Sequence, residues 1–474
     1  MSIRSRVFHF LATALLLAGA GIAHAETIRV AIGTQDTTIN CATGGLLIRE
    51  LHLLDKYLPH TGKYKDVTYD VEWKDFTSGA PVTNEMVAGK LDFGVMADFP
   101  GALNGAAFQK AGRKSVFITV LDGSIQGSGN GIVVPVDSPV HSIADLKGKT
   151  ISVPFASTAH GMLLRAIKAQ GWNPDTDVNI ITQAPEVAGS ALKAGKIDAH
   201  ADFVPFADLF PYRGIARKIY DGAQSGAPTF HGTLVDAAYA QQYPEVVVAY
   251  LRAALEANRL LAEDPEKYSL LIQKVTGIEA PVDYLYHGPL GIQTRDLTWK
   301  PEYRQAVATA IDTLKLLKKT DVDLDPKTFV DDRYIREAFK ESGLDYDAAL
   351  KNYAKQPLVA NDAQTGKPIS DFNDVTQIWL DDEAKVRNYA TPAEAFAALG
   401  KLPSGDAVRA VFVHDHGSGL KLFARQAWYV KDTHGAITAF LLKAGADQYA
   451  QHVSGSVVDY AAAKTSAAQA IAAR

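Results

Sequence analysis

The chain has 474 residues, of which 47% are hydrophobic, 21% charged and 9% aromatic, proportions that exclude wholesale disorder, a collagen-like repeat and a coiled coil. At roughly 150 residues per domain it holds about three domains or lobes. The 48 basic and 53 acidic residues leave a net charge of -5, without the basic excess of a nucleic-acid binder, and the single cysteine, Cys41, excludes an internal disulfide or a thiolate metal cluster.

Residues 1–25 read as a secretory signal. Arg4 and Arg6 precede an apolar run over 10–22 that ends in Ala23-His24-Ala25, a small-x-small cleavage pattern. The run is short for a membrane span, so the mature chain is expected to begin at Glu26 and to be exported as a soluble protein.

From Thr27 onwards strand and helix signals alternate. Residues 27–32 form a β-rich run stopping at Gly33, and an apolar helical pattern covers 46–58, before Pro59. Residues 67–73 alternate like a strand, 83–88 suit a helix, and 91–96 form a buried-type strand. Strands at 115–121, 131–135 and 150–153 follow, with a short helix at 142–146 and a longer one over 158–170. Such alternation predicts a mostly parallel sheet covered on both faces.

Next come a strand at 178–182 and a helix at 186–193. The order Ala88-Gly89-Lys90-Leu91-Asp92 returns as Ala194-Gly195-Lys196-Ile197-Asp198, each copy closing a helix and launching a strand, so two lobes built alike are expected. Residues 243–261 and 302–318 are strongly helical, and Asp325-Pro326 and Pro357-Leu358 mark breaks. The turn-rich stretch 361–368 reads as a linker to a separate α+β tail, with strands at 377–380, 408–413, 426–430 and 436–439 and helices at 392–398 and from 446 on. The expected organisation is one lobe from 26–122 with 229–360, a second from 123–228, and a C-terminal domain over 361–474.

Several of these pieces together resemble a known family. They are Gly131-Ile132-Val133-Val134-Pro135-Val136-Asp137-Ser138-Pro139, then Ser142-Ile143-Ala144-Asp145-Leu146-Lys147-Gly148-Lys149, and Ala156-Ser157-Thr158-Ala159-His160-Gly161, with 198–206 and 239–261. Over residues 28–318 the chain resembles the periplasmic substrate-binding proteins of ABC importers, in the nitrate, sulfonate and taurine group. The resemblance implies an α/β, two-lobed periplasmic-binding-protein fold of type II that closes like a hinge on a ligand. It also implies a monomer that hands its ligand to a membrane permease and its ATPase, without a cofactor.

Ligands in open α/β sheets bind beyond the carboxyl ends of strands, which singles out four polar loops. The first, 33–40, offers Gln35, Asp36 and Asn40, as ligand groups or as a cap and solvated turn. The second carries Asp98 and Phe99; Asp98 is a ligand contact or a helix cap. The third, Ser157, Thr158 and His160, opens a helix whose free N–H groups and dipole favour an anion, although the same residues serve ordinary capping. The fourth follows a strand ending at Ala199 and holds His200, Asp202, Phe203 and Phe206, the aromatics walling a pocket or filling the core.

These loops hold three aspartates and two histidines but no Arg or Lys, which fits a bare inorganic anion poorly. The expected ligand is a small organic anion or zwitterion, such as an amino-sulfonate whose ammonium meets a carboxylate. In the tail, His414 and His416 form a His-x-His pair at a strand end, either a metal-ligand pair or a solvated turn. Around 427–430 and 446–460 the tail resembles the copper-handling NosL-type domain of nitrous oxide reductase systems, which implies copper binding as the alternative function. No nucleophile elbow or phosphate loop appears, so a binding protein rather than an enzyme is expected.

Overall fold

The computed structural model describes residues 26–316, 321–353, 355–403 and 407–472; the expected signal at 1–25 lies outside them, as do 317 and 318 of the expected helix 302–318. The chain first lays down β1 (Thr27–Thr34), β2 (Thr68–Asp75), β3 (Phe93–Ala97) and β4 (Ser115–Ser124). It then crosses to β5 (Gly131–Pro135), β6 (Thr150–Val153), β7 (Asn179–Thr182), β8 (Ala199–Asp202) and β9 (Ala216–Asp221), and returns as β10 (Thr229–Asp236).

Two five-stranded sheets result, ordered β2-β1-β3-β10-β4 and β7-β6-β8-β5-β9. They have one topology. In the first, β1 pairs in parallel with β2 and β3 while β10 runs antiparallel to β3 and β4. In the second, β6 is parallel to β7 and β8 while β5 is antiparallel to β8 and β9. The mostly parallel sheet expected from the alternation is therefore corrected to two mixed sheets. The antiparallel strand in each, β5 or β10, adjoins a crossing between the sheets, and alternation along the chain carries no sign of that reversal. Strands β3, β4 and β10 are buried along their whole length, as strands covered on both faces must be.

The repeated Ala-Gly-Lys-aliphatic-Asp element has a physical basis in both copies. Gly89 and Gly195 take φ of 72° and 61°, the left-handed turn that ends a helix at no steric cost. The following aspartates then accept a backbone N–H from the neighbouring strand, Asp92 from Ala31 at 2.8 Å and Asp198 from Thr150 at 2.9 Å. Each copy thus stops a helix and fixes the start of the next strand against its neighbour.

The helices of the first lobe are α1 (Leu46–Glu50), α2 (Gly79–Val87) and α3 (Asp98–Lys110), and those of the second α4 (Thr158–Ala169), α5 (Pro185–Lys193) and α6 (Phe206–Tyr212). The continuous helix expected over 46–58 is broken: α1 ends at Glu50, His52 turns to φ 54°, and a single 3₁₀ turn covers Leu54–Lys56. Helix α3, with Pro100, Gly101 and Gly105 inside it, went unseen in the sequence. Its glycines serve packing, since a Cβ on Gly101 would lie 2.1 Å from the Phe117 ring and one on Gly105 2.5 Å from Phe329.

Helices α7 (Ala237–Gln242), α8 (Pro244–Glu263), α9 (Pro265–Thr276), α10 (Ala280–His287), α11 (Pro301–Leu316), α12 (Arg333–Glu341) and α13 (Tyr346–Lys351) follow. Tyr250 of α8 ties that helix to the first lobe, donating to the Gly44 carbonyl at 2.7 Å. Helix α10 lies behind the lobe junction, where Tyr286 donates to Asp208 of α6.

The tail holds β11 (Thr376–Leu380), β12 (Arg387–Tyr389), β13 (Val408–His414) and β14 (Lys421–Phe423) in one antiparallel sheet. A second antiparallel sheet is made by β15 (Trp428–Lys431), β16 (Ile437–Phe440) and β17 (Ser456–Val458), flanked by α14 (Pro392–Leu399), α15 (Lys443–His452) and α16 (Tyr460–Ala472). The stretch 361–368 is a hydrogen-bonded turn: Asn361 bridges Pro368, and buried Asp362 accepts from the N–H groups of Gln364, Thr365 and Ala390. Among the described residues no helix is long and apolar enough to cross a membrane.

Candidate functional site

A cavity of about 210 Å³ lies between the lobes, lined by the starts of four helices. Ser78, Gly79 and Ala80 come from α2, Ala97 and Pro100 from α3, Ser157 and Thr158 from α4, and Ala184, Pro185 and Glu186 from α5. First-turn N–H groups have no carbonyl one turn back to reach, and each aligned helix adds about half a positive charge at its start. Four such starts give an anion-attracting site that needs no cation. Among the described residues the lining has no Lys, Arg or Asp, and its one acid is Glu186, which is exposed.

The polar lining also includes Gln35, Thr38, Thr182, Gln183 and His231, and the apolar part Phe155 and Phe203. Thr38 is 2% exposed, and its hydroxyl has no hydrogen-bond partner among the described residues. The Gln183 Oε1 is likewise unpartnered. A buried hydroxyl left unpaired costs about 1–3 kcal/mol, which a ligand accepting its proton removes.

His231 on β10 sits in a built network. The Asn40 amide nitrogen contacts His231 Nδ1 at 3.2 Å and donates to Gln293 Oε1 at 2.5 Å. An amide nitrogen can only donate, so Nδ1 accepts and the His231 proton lies on Nε2. Burial, with the His287 charge adding to it, pushes the His231 pKa down to about 3, so the ring is neutral. Behind it, His287 contacts Asn40 and Asp122 at 3.1 Å and Asp283 at 3.0 Å. Burial opposes its charge, yet Asp283 and Asp122 raise its pKa.

The sequence-singled residues divide. Gln35, Ser157 and Thr158 line the cavity. Gln35 Nε2 is committed to the Val95 carbonyl at 2.8 Å, Ser157 caps α4 by accepting the His160 N–H at 3.2 Å, and the Thr158 hydroxyl donates to Asn130 at 3.0 Å. Asn40 acts from behind, through His231. Asp36 is instead a structural acid, paired with Arg49 at 2.9 Å and accepting from the Thr34 hydroxyl. His160 stacks flat on Phe155 at 4.7 Å, placing Phe155 rather than itself at the cavity.

Asp98 and Phe99 form the first turn of α3 rather than a loop, and it is their neighbours Ala97 and Pro100 that reach the cavity. Asp98 accepts the Phe99 N–H at 2.6 Å. Burial lifts its pKa to about 6, against the pull of that hydrogen bond, Thr229 and the half-buried Arg165. His200 and Asp202 lie within β8, fully buried and bonded to each other at 2.7 Å. Phe203 takes the wall position, while Phe206 packs behind it against Phe203 and Phe210. Asp36, Asp98 and Asp202 all have protein partners, and none of the three lines the cavity.

Thr38, His231, Gln183 and the starts of α2 and α5 were missed. The repeat held a signal for the last two, because α2 and α5 are the helices that each Ala-Gly-Lys element closes.

The tail histidines do not converge as a pair. His414 is 3% exposed, donates from Nδ1 to the Val375 carbonyl at 2.8 Å, and is driven down to about pKa 3 by burial and by Lys421 beside it. His416 lies beyond the strand, exposed, with its ring against Phe440 and Tyr449. Among the described residues no group of three or more His, Cys, Asp or Glu side chains is arranged to hold a metal ion.

Two like-built lobes, joined by crossing segments and with a cavity between them, define a two-lobed solute-binding-protein fold. A family model described as "NMT1/THI5 like" matches residues 59–268. An aliphatic sulfonates-binding protein of Escherichia coli (strain K12) is 27% identical over 283 residues, 58% of this chain and 83% of that protein. The taurine-binding periplasmic protein of the same strain is 29% identical over 197 residues, 41% of this chain and 59% of its own. The crystal structure of the Escherichia coli periplasmic aliphatic sulphonate binding protein SsuA aligns with TM-score 0.52 and 24% identity, covering 65% of this chain and 98% of that one.

Proposed function

We propose that the protein is the periplasmic solute receptor of an ABC importer for a short-chain organic sulfonate, captured between the lobes and passed to a membrane permease and its ATPase. The observation that carries this reading is the convergence of four helix starts on a cavity whose lining, among the described residues, has no Lys, Arg or Asp and one acid, the exposed Glu186. The sulfonate oxygens take first-turn N–H groups, the Thr38 hydroxyl and the His231 Nε2–H, and the carbon chain lies against Phe155 and Phe203. At ~30 Å³ per water the cavity holds roughly seven water-sized groups, the scale of a two-carbon sulfonate. The chain performs no bond chemistry in this role and acts as an exported monomer without a cofactor.

Isothermal titration of the mature chain with ethanesulfonate, taurine, nitrate and bicarbonate tests the proposal. Ethanesulfonate is expected to saturate one site, and taurine to bind no more tightly, because its ammonium meets only the exposed Glu186. Saturation by nitrate or bicarbonate with no response to any sulfonate would overturn the reading.

A further inference from the structure

We infer that the C-terminal domain is a clamp across the back of the lobes that holds the cleft closed, an inference resting on the interlobe cavity being the ligand site. The domain sits on both lobes through separate seams. On the first-lobe side the Tyr284 ring of α10 lies 5.4 Å from Trp379 and 5.3 Å from Phe412. Lys385 pairs with Asp264 at 2.8 Å and Glu266 at 3.1 Å at the start of α9. Lys421, fully buried, places its ammonium 4.1 Å from the Tyr284 ring centre and donates to the Pro289 carbonyl at 3.1 Å.

On the second-lobe side Tyr212, the last residue of α6, packs its ring 5.0 Å from Phe423 and donates to the Arg409 carbonyl at 3.1 Å. Gln426 Nε2 donates to the Pro211 carbonyl at 3.0 Å, and Trp428 meets His141 at 6.3 Å. This seam is the weaker, made of rings and neutral hydrogen bonds, whereas the first carries the Lys385 ion pairs. Between the seams a cavity of about 920 Å³ separates Ile125, Gln126 and Gln224 of the crossing segments from His416, Phe440 and Tyr449 of the tail.

Hinge opening rotates one lobe against the other about the crossing segments. A packed domain fastened to both lobes cannot follow both, so opening must break the second-lobe seam. At the front of the cleft the lobes already meet: a Cβ on Gly161 of α4 would lie 3.7 Å from the Phe99 ring of α3. The seam therefore adds its free energy to the closed arrangement and reduces the fraction of receptor that must close before it binds.

The test uses the full mature chain carrying Cys41→Ala, with spin labels at Asp66→Cys on the first lobe and Gln170→Cys on the second. In ligand-free protein, Tyr212→Ala with Gln426→Ala is expected to move the interlobe distance distribution to longer values. The ethanesulfonate Kd should weaken about tenfold. Should the double variant melt early, Gln426→Ala alone gives a smaller shift of the same sign. Superimposable distributions in a folded variant would overturn the clamp, and a shift with unchanged Kd would overturn its link to capture. The distance readout needs no ligand, so a failure of the sulfonate reading leaves it standing as a separate result.

Discussion

Helices α3 and α4 enter the cleft from opposite lobes and begin differently. The first residue of α3 is Asp98, buried, its carboxylate spent on the Phe99 N–H and on Thr229. Helix α4 is instead capped by the uncharged Ser157, and its first residue, Thr158, faces the cavity. One topology thus yields two electrostatic ends: the second lobe offers a bare anion handle, whereas in the first an acid partly cancels the helix end and Arg165 offsets that acid. Repeating a fold repeats the positions of helix starts and leaves their charge to single residues.

The strongest way to break the contrast is to give α4 the device of α3. Thr158→Asp should weaken ethanesulfonate binding at least about 100-fold by titration, since two like charges 4 Å apart repel by about 4 kcal/mol near a protein surface. The reverse change, Asp98→Asn, should stabilise the fold. A pKa raised to about 6 means that the cost of ionising Asp98 is absent below about pH 4, develops between pH 4 and 6, and is complete above. Urea unfolding should show a gain of up to about 3 kcal/mol at pH 7 and little at pH 4; equal gains at both would refute the buried charge.

Thr38→Val, which keeps the shape of the side chain, should cost about 1.5–3 kcal/mol of sulfonate binding, the value of a hydrogen bond to a charged group. Ligand-free stability should be unchanged or slightly higher, because an unpaired buried hydroxyl disappears; a loss of stability instead would mean the hydroxyl has a protein partner. The smallest effect is expected from Ser157→Ala. Removing that cap should lower thermal stability by about 1 kcal/mol and weaken binding only a few-fold, because the first-turn N–H groups remain.

Much of this architecture was legible in the residues. The alternation of strand and helix signals, the duplicated Ala-Gly-Lys-Asp element and the α+β tail all rest on local patterns and reappear as sheets and helix ends. Helix α3 escaped because Pro100, Gly101 and Gly105 read as breakers, while the structure uses the glycines for contact with Phe117 and Phe329. The site was legible only at the start of α4, where capping residues and anion-binding residues are the same.

What the sequence by itself determined is the α/β class, the repeat and the places where helices begin, since these follow from spacing and turn chemistry within a few residues. Which polar groups remain for a ligand was decided by tertiary structure alone. Asp36 is taken by Arg49, Asp98 by Thr229 and Asn40 by His231 and Gln293, and the Thr38 hydroxyl is left with no partner among the described residues. A side chain is free for a ligand only after distant parts of the chain have taken their own hydrogen bonds, and that settlement exists only in the folded molecule.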